Sequence, residues 1–221
     1  MLIGVRKRFV FVANTKAAST SIEHALAGQA EIMRGDNPAR KHIPLSRIGS
    51  EYWFLFGRPE FPIDSFFRFG VMREPLSWID SWFRYRRGNP VEAPLPPDMS
   101  FEEFWRARDW NIQRADGTRY LQSSLFTRPN GAPMADVIVP YERMADYLPE
   151  ILDHLGVTDA LPHKNISTVR ETTAPVPDAL LTEMRAFYAA DYALYDRLDQ
   201  INAVGMEKLR ARSAGNHGVA P

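Results

Sequence analysis

The chain contains no cysteine. That excludes disulfides, thiolate metal sites and thiol nucleophiles as a source of its stability or its chemistry. No apolar run approaches the roughly 20 residues that a membrane helix requires. Met1–Arg8 lacks the apolar stretch that a signal peptide carries behind its charges. These absences lead to the expectation of a soluble, cytoplasmic protein. An excess of one charge sign is also missing, because 27 Lys and Arg balance 27 Asp and Glu. Such a balance argues against a broadly basic nucleic-acid surface and against a solvating acidic chain. No internal repeat is visible, and the phosphate-loop pattern Gly-x-x-x-x-Gly-Lys-Ser/Thr occurs nowhere.

What the chain does have is the composition of a folded domain, with 45% hydrophobic and 24% charged residues. At 221 residues it can bury a substantial core as a single unit. The balanced charge conceals a split: residues 1–87 carry a net +6 and residues 88–221 a net −6. A positive half inside a neutral protein directs attention to a local anion site.

Arg8–Ala13 (RFVFVA) is a short run of β-branched and aromatic residues that predicts a buried strand. Polar Asn14–Ser21 follows, and then Ile22, Ala25 and Leu26 recur at helical spacing. A second strand–turn–helix unit is predicted from Phe66–Met72 through Arg73-Glu74-Pro75 into a helix carrying Trp78, Ile79, Trp82 and Phe83. Pro75 suits the first helical turn, where its missing N–H costs nothing. Asp136–Val139 predicts a third strand, followed by an amphipathic helix that Gly156 ends as a C-cap residue would. Ser100 and Glu103 form a capping box for a helix over Phe101–Trp110, and Pro177–Leu198 predicts another helix. Strands alternating with helices predict an α/β fold with a central, mainly parallel sheet flanked by helices. The expected organisation is one domain over 1–205 and a flexible tail over 206–221.

A strand turning into a helix is a natural anion site, since unpaired N–H groups and the positive helix end converge there. Thr15-Lys16-Ala17-Ala18-Ser19-Thr20-Ser21 supplies small residues for close backbone approach, a mobile cation in Lys16 and hydroxyls on Thr20 and Ser21. The plainer alternative is a Ser/Thr N-cap on an ordinary helix. Arg73 falls at the end of the second strand, with Ser77 and Ser81 on nearly one face of the following helix. In a parallel sheet both strand ends open on the same edge, so Arg73 and Ser81 are candidates for a second phosphate. The plainer alternatives are a surface ion pair of Arg73 with Glu74 or Asp80, and a small residue at a helix contact for Ser81.

Phe11-Val-Ala-Asn-Thr15-Lys16-Ala-Ala-Ser-Thr-Ser21 resembles the 5′-phosphosulfate loop of sulfotransferases that use 3′-phosphoadenosine 5′-phosphosulfate (PAPS). Phe69-Gly-Val-Met-Arg73-Glu-Pro75, with Ser81 eight residues after the arginine, is similar to that family's 3′-phosphate motif. Val139-Pro-Tyr-Glu142-Arg-Met, Pro162-His163-Lys164-Asn165-Ile-Ser167 and Tyr188-Ala-Ala-Asp191-Tyr-Ala-Leu-Tyr195 resemble later segments of the same family, in the same order. The likeness is nearest to the carbohydrate-type branch. Thr15 stands where the family usually has proline, and Ser77 and Trp78 stand where a second arginine is common, with Arg84, Arg86 or Arg87 as substitutes.

The resemblance implies a P-loop-like sulfotransferase fold. It implies transfer of a sulfuryl group from PAPS to a hydroxyl, or an amine, of a carbohydrate or other small acceptor, leaving adenosine 3′,5′-bisphosphate, with no metal expected. It assigns Lys16, Ala17, Ala18, Ser19, Thr20 and Ser21 to the 5′ end of the nucleotide, Arg73 and Ser81 to the 3′-phosphate, and Lys164 to the nucleotide-covering loop. Lys16 is also the candidate for stabilising the leaving oxygen. His42, between the two motifs, is the candidate general base because its ordinary pKa lies near neutrality. Glu23 is the carboxylate alternative, and a solvent-exposed histidine in a polar connection is the plainer reading of His42. His24 is expected to point away from the site. The aromatics over 52–61 and the proline-rich stretch 88–100 are candidate acceptor walls, with core packing the simpler role for most of the aromatics. A P-loop-like kinase and a non-catalytic nucleotide-binding protein of this fold are the competing classes. No nucleic-acid or membrane partner is expected.

Overall fold

A computed structural model describes residues 1–35, 38–89, 93–157 and 176–216. In chain order it contains β1 (Leu2–Gly4), β2 (Phe9–Val12), α1 (Ser19–Leu26), β3 (Ile32–Met33), α2 (Pro38–Lys41), α3 (Leu45–Glu51) and α4 (Trp53–Phe56). These are followed by β4 (Phe67–Met72), α5 (Pro75–Gly88), α6 (Phe101–Arg106), β5 (Val137–Pro140), α7 (Met144–His154), α8 (Asp178–Phe187), α9 (Ala189–Tyr195) and α10 (Leu198–Asn216).

The strands pair in the order β3-β1-β2-β4-β5. β2, β4 and β5 are the three apolar runs expected from the sequence, and they are parallel, with Val12 opposite Gly70 and Gly70 opposite Ile138. The sheet is nevertheless mixed rather than mainly parallel. A tight turn over 5–8, closed by the Arg8 N–H on the Val5 carbonyl (3.3 Å) and a left-handed Arg8, folds β1 back on β2 as a hairpin. That turn forces the antiparallel pairing, and β3 then adds antiparallel to β1.

Alternate side chains of the central strands enter two separate cores, as they must when helices cover both faces. Phe9, Phe11, Phe67 and Phe69 pack with Ile22 of α1 and Leu148 and Ile151 of α7. Val10, Val12, Met72 and Ile138 pack on the other face with Leu45 and Ile48 of α3 and Phe126. Each of these fully buried side chains contributes about 1.5–3 kcal/mol. A third cluster joins α5, α6 and α8 through Trp78, Trp82, Phe83, Phe104, Trp105 and Met184.

Local signals account for many of the boundaries. Ser100 and Glu103 form the reciprocal capping box, Pro75 opens α5, and Gly156 takes a left-handed φ of 79° just past α7. The expected helix over 101–110 stops at Arg106, since Arg108 is left-handed. The expected helix over 177–198 is interrupted at Tyr188 (φ −94°, ψ 24°), which turns α8 into α9, so that Leu180 and Met184 join the third cluster and Leu194 the second core.

The stretch from Met206, expected to leave the domain as a tail, instead continues α10 to Asn216. Met206 and Leu209 are buried in the first core, and that apolar pair outweighs the surrounding charge. Residues 217–221 lie outside the described residues. α10 covers the outer edge of β5: Asn202, fully buried, accepts from the Ile138 N–H and donates to the Ile138 carbonyl, both at 2.8 Å. The amide thereby satisfies backbone groups that an edge strand leaves open. Gly205 makes the approach possible, because a Cβ there would fall 1.8 Å from the Asp136 carbonyl oxygen.

Candidate functional site

The C-terminal ends of β2, β4 and β5 open on one edge of the sheet and lead into residues 13–18, Arg73-Glu74 and Tyr141-Glu142. Ligands of open α/β sheets bind at this edge.

In the first loop, Lys16 and Ala18 both adopt left-handed backbone (φ 56°). Non-glycine residues in this region carry strain and concentrate at functional positions. The alternation is of the kind that turns successive N–H groups inward around an anion. The N-cap of α1 is Ala18, with no side-chain cap, so neither Ser19 nor Thr20 serves as an ordinary capping residue. Ser19 is buried, and its hydroxyl donates to the Asn14 carbonyl (2.5 Å) and accepts from the Asn14 N–H (2.9 Å). That hydroxyl braces the loop and is not offered to a ligand, leaving only the Ser19 amide for the assigned role. The Ser21 N–H goes to the Ala18 carbonyl (3.1 Å). This withdraws one expected backbone donor and leaves the amides of 17–20 at the mouth of the helix. Thr20 is exposed and Ala17 fully buried.

Lys16 lies over aromatic rings of α5, its Nζ 3.5 Å from the Tyr85 centroid and 5.8 Å from that of Trp82. Burial first, and then the charges of Arg73 and Arg84, lower its pKa to about 8. Gln122 Oε1 accepts from both Asn14 Nδ2 and the Arg73 N–H, so the two motifs converge, although 57 residues separate Lys16 from Arg73 in the chain.

Arg73 donates from Nε to Ser77 Oγ (2.8 Å), and its guanidinium lies 4.5 Å from the Tyr141 centroid. Burial pulls its pKa down, but a guanidinium remains charged. Glu74 and Asp80, the carboxylates expected to pair with it, make other bonds, and Asp80 and Glu142 act on Arg73 only as nearby charges. Asp80 pairs with Arg84 at 2.7 Å. Glu74 caps α5 by accepting the Ser77 N–H (2.7 Å) and also accepts the Tyr192 hydroxyl (2.6 Å). Glu142 accepts the Tyr195 hydroxyl (2.7 Å). Among the described residues, neither Lys16 nor Arg73 forms an ion pair. Ser77, not Ser81, is the hydroxyl that contacts Arg73. Ser81 lies one turn further along α5, half-buried.

Of the three substitute arginines, Arg84 alone bears on Lys16 and Arg73. Arg86 is buried against Asp109 (2.5 Å), Asn111 (3.0 Å) and the Ala93 carbonyl (2.9 Å). Arg87 donates to the Pro97 carbonyl (2.5 Å).

His42 comes to the start of the same loop, with Nδ1 2.8 Å from the Ala13 carbonyl oxygen. A carbonyl only accepts, so Nδ1 carries the proton and Nε2 carries the lone pair. Burial holds the His42 pKa below its ordinary value, keeping the ring neutral near pH 7. Glu23, the carboxylate alternative, is engaged by Lys41 Nζ at 2.5 Å. His24 is exposed. Lys164 and His163 lie outside the described residues.

Of the aromatics over 52–61, Tyr52, Phe56 and Phe61 pack against the second core, whereas Trp53 and Phe54 are 71% and 56% exposed. Residues to which the motifs assign no role complete the site. Asn14 and Gln122, both buried, link the strand ends, and the Trp78 indole on α5 donates to the Thr15 carbonyl (2.9 Å). Trp78 belongs to a helical apolar stripe and Gln122 to no pattern, so only the former carries a sequence signal.

No family model, curated protein or solved structure matches the chain.

Proposed function

We propose that the protein is a sulfotransferase that moves a sulfuryl group from PAPS to a hydroxyl of a carbohydrate or other small acceptor, on a P-loop-like sulfotransferase fold. The observation that carries this reading is the convergence of two cations, Lys16 and Arg73, that have no carboxylate partner among the described residues, at neighbouring parallel strand ends. Two cations without an ion pair, beside a strained, amide-rich turn, suit a small ligand with an anionic group at each end.

When bound, PAPS supplies the sulfuryl group and departs as adenosine 3′,5′-bisphosphate. The chain's contribution is alignment and charge stabilisation. The amides of 17–20 and the Thr20 and Ser21 hydroxyls would hold the 5′ end, and Arg73, assisted by Ser81, the 3′-phosphate. Lys16 Nζ would leave the Tyr85 face to neutralise charge on the departing phosphate oxygen. His42 Nε2 would accept the proton that the acceptor hydroxyl loses as its oxygen bonds to sulfur.

Incubation with PAPS labelled in the sulfuryl group, across a panel of sugars, phenols and lipids, tests the reading. Label is expected in an acceptor, with Lys16→Ala abolishing transfer while changing adenosine 3′,5′-bisphosphate binding far less. Binding that favours ATP and ignores the 3′-phosphate would overturn it.

A further inference from the structure

We propose that Gln122 is a positioning residue that sets the separation of the two anion-binding loops. The inference rests on the nucleotide reading above. The β2–β4 ladder ends at Val12 opposite Gly70, and beyond it the two chains separate towards Lys16 and Arg73. The Gln122 side chain enters that opening. Its Oε1 accepts from Asn14 Nδ2 (2.8 Å) and from the Arg73 N–H (3.1 Å), and its Nε2 donates to the Arg73 carbonyl (2.8 Å). One side-chain amide thus takes over from the ladder where the ladder stops.

The bridge continues on both sides. Asn14 Nδ2 also donates to the Val71 carbonyl (3.0 Å), and the Asn14 backbone holds the Ser19 hydroxyl at the start of α1. Gln122 is itself held by Asp191 of α9, whose carboxylate accepts the Gln122 N–H (3.1 Å) and the Ser123 N–H (2.8 Å). Gln122, Asn14 and Asp191 are all buried, so the bridge reaches a ligand only through the loops it holds.

A ligand with two anionic ends gains its second contact as an intramolecular event, and the gain depends on the spacing of the two sites. Gln122 therefore controls the preference for a doubly anionic nucleotide over a singly anionic one, more than it controls affinity for either end. The experiment is calorimetric titration of the full chain with adenosine 3′,5′-bisphosphate and with adenosine 5′-monophosphate. In the wild type the bisphosphate is expected to bind more tightly. In Gln122→Met, similar in length but without the amide, that preference falls about tenfold while monophosphate affinity stays within about twofold.

Equal weakening of both nucleotides in the variant, with the preference intact, overturns the positioning role and leaves the nucleotide reading standing. Equal binding of the two by the wild type overturns the nucleotide reading and the role that rests on it. Gln122→Glu provides the same test if Gln122→Met does not fold. It retains the acceptor oxygen but not the donation to the Arg73 carbonyl, so an unchanged preference there also overturns the proposal.

Discussion

His42 donates its Nδ1 proton to the carbonyl of Ala13 at 2.8 Å, the last residue before the polar loop begins. This one bond ties a candidate base to the strand end that carries Lys16 and selects the tautomer whose Nε2 can accept a proton. A histidine held in this way works by geometry as well as by its titration.

His42→Asn should therefore lower turnover by about 10²–10⁴-fold and leave adenosine 3′,5′-bisphosphate affinity within about twofold. Burial holds the His42 pKa below its ordinary value, so the acidic limb of the wild-type kcat/KM profile is expected below pH 6.5 and should be missing from the variant. Steady-state kinetics from pH 5 to 8 measure both. An acidic limb unchanged in His42→Asn would remove the base assignment.

Lys16 provides a second pH signature through binding. Its pKa of about 8 means that the free site loses its ammonium as the pH rises above neutrality. An anionic ligand favours the charged form, so binding takes up a proton above pH 8 and affinity falls as pH rises. Lys16→Arg carries a charge that does not titrate in this range. Titrations with adenosine 3′,5′-bisphosphate at pH 7, 8 and 9 should show a decline for the wild type and a nearly flat response for Lys16→Arg. Parallel curves would mean that Lys16 does not face the anion.

The parts of this fold written in local pattern are legible in the sequence, and the parts written across distance are not. β2, β4 and β5 show as apolar runs, Ser100 and Glu103 as a capping box, and Lys16 and Arg73 as cations placed after strands. β1 and β3, with three and two residues, are too short to display a period and owe their pairing to the turn at Arg8. Met206 and Leu209 lie in a charged stretch whose burial depends on α10 meeting β5. Gln122 finds its partners 49 and 108 residues away in the chain, and its neighbours Leu121 and Ser123 announce nothing. The Ser19 hydroxyl illustrates the same limit within the motif itself, because only the folded loop shows that it is committed to Asn14.

Asp191 links the site to stability. It is fully buried, and burial raises its pKa to about 6 from 3.8 despite the two amide donors. Between these values the folded chain keeps a proton that the unfolded chain has released. The contribution of this group is therefore fully present below about pH 4 and is lost as the pH rises through 6, by about 3 kcal/mol at most. Denaturant unfolding of the wild type and Asp191→Asn at pH 4, 5, 6 and 7 isolates it, since every other titration cancels in the difference. Wild-type stability should decline relative to the variant over that interval, and a constant difference would refute the assignment.

Asn202 and Gly205 form one contact between α10 and the outer edge of β5, and their substitutions should reveal it as one. Asn202→Leu leaves the Ile138 N–H and carbonyl without their side-chain partner, at a cost of about 2–4 kcal/mol. Gly205→Ala sets a methyl group against the Asp136 carbonyl, where only a shift of the helix can relieve the clash. A cost of about 1–3 kcal/mol is expected there. Lifting α10 also stretches the Asn202 bonds, so each substitution removes part of what the other would. The double variant should lose less than the sum of the single losses, by about 1 kcal/mol or more. Urea unfolding of the four chains measures the cycle. Strict additivity would show that the helix accommodates alanine without moving away from the strand, and that the amide bridge and the close approach are independent.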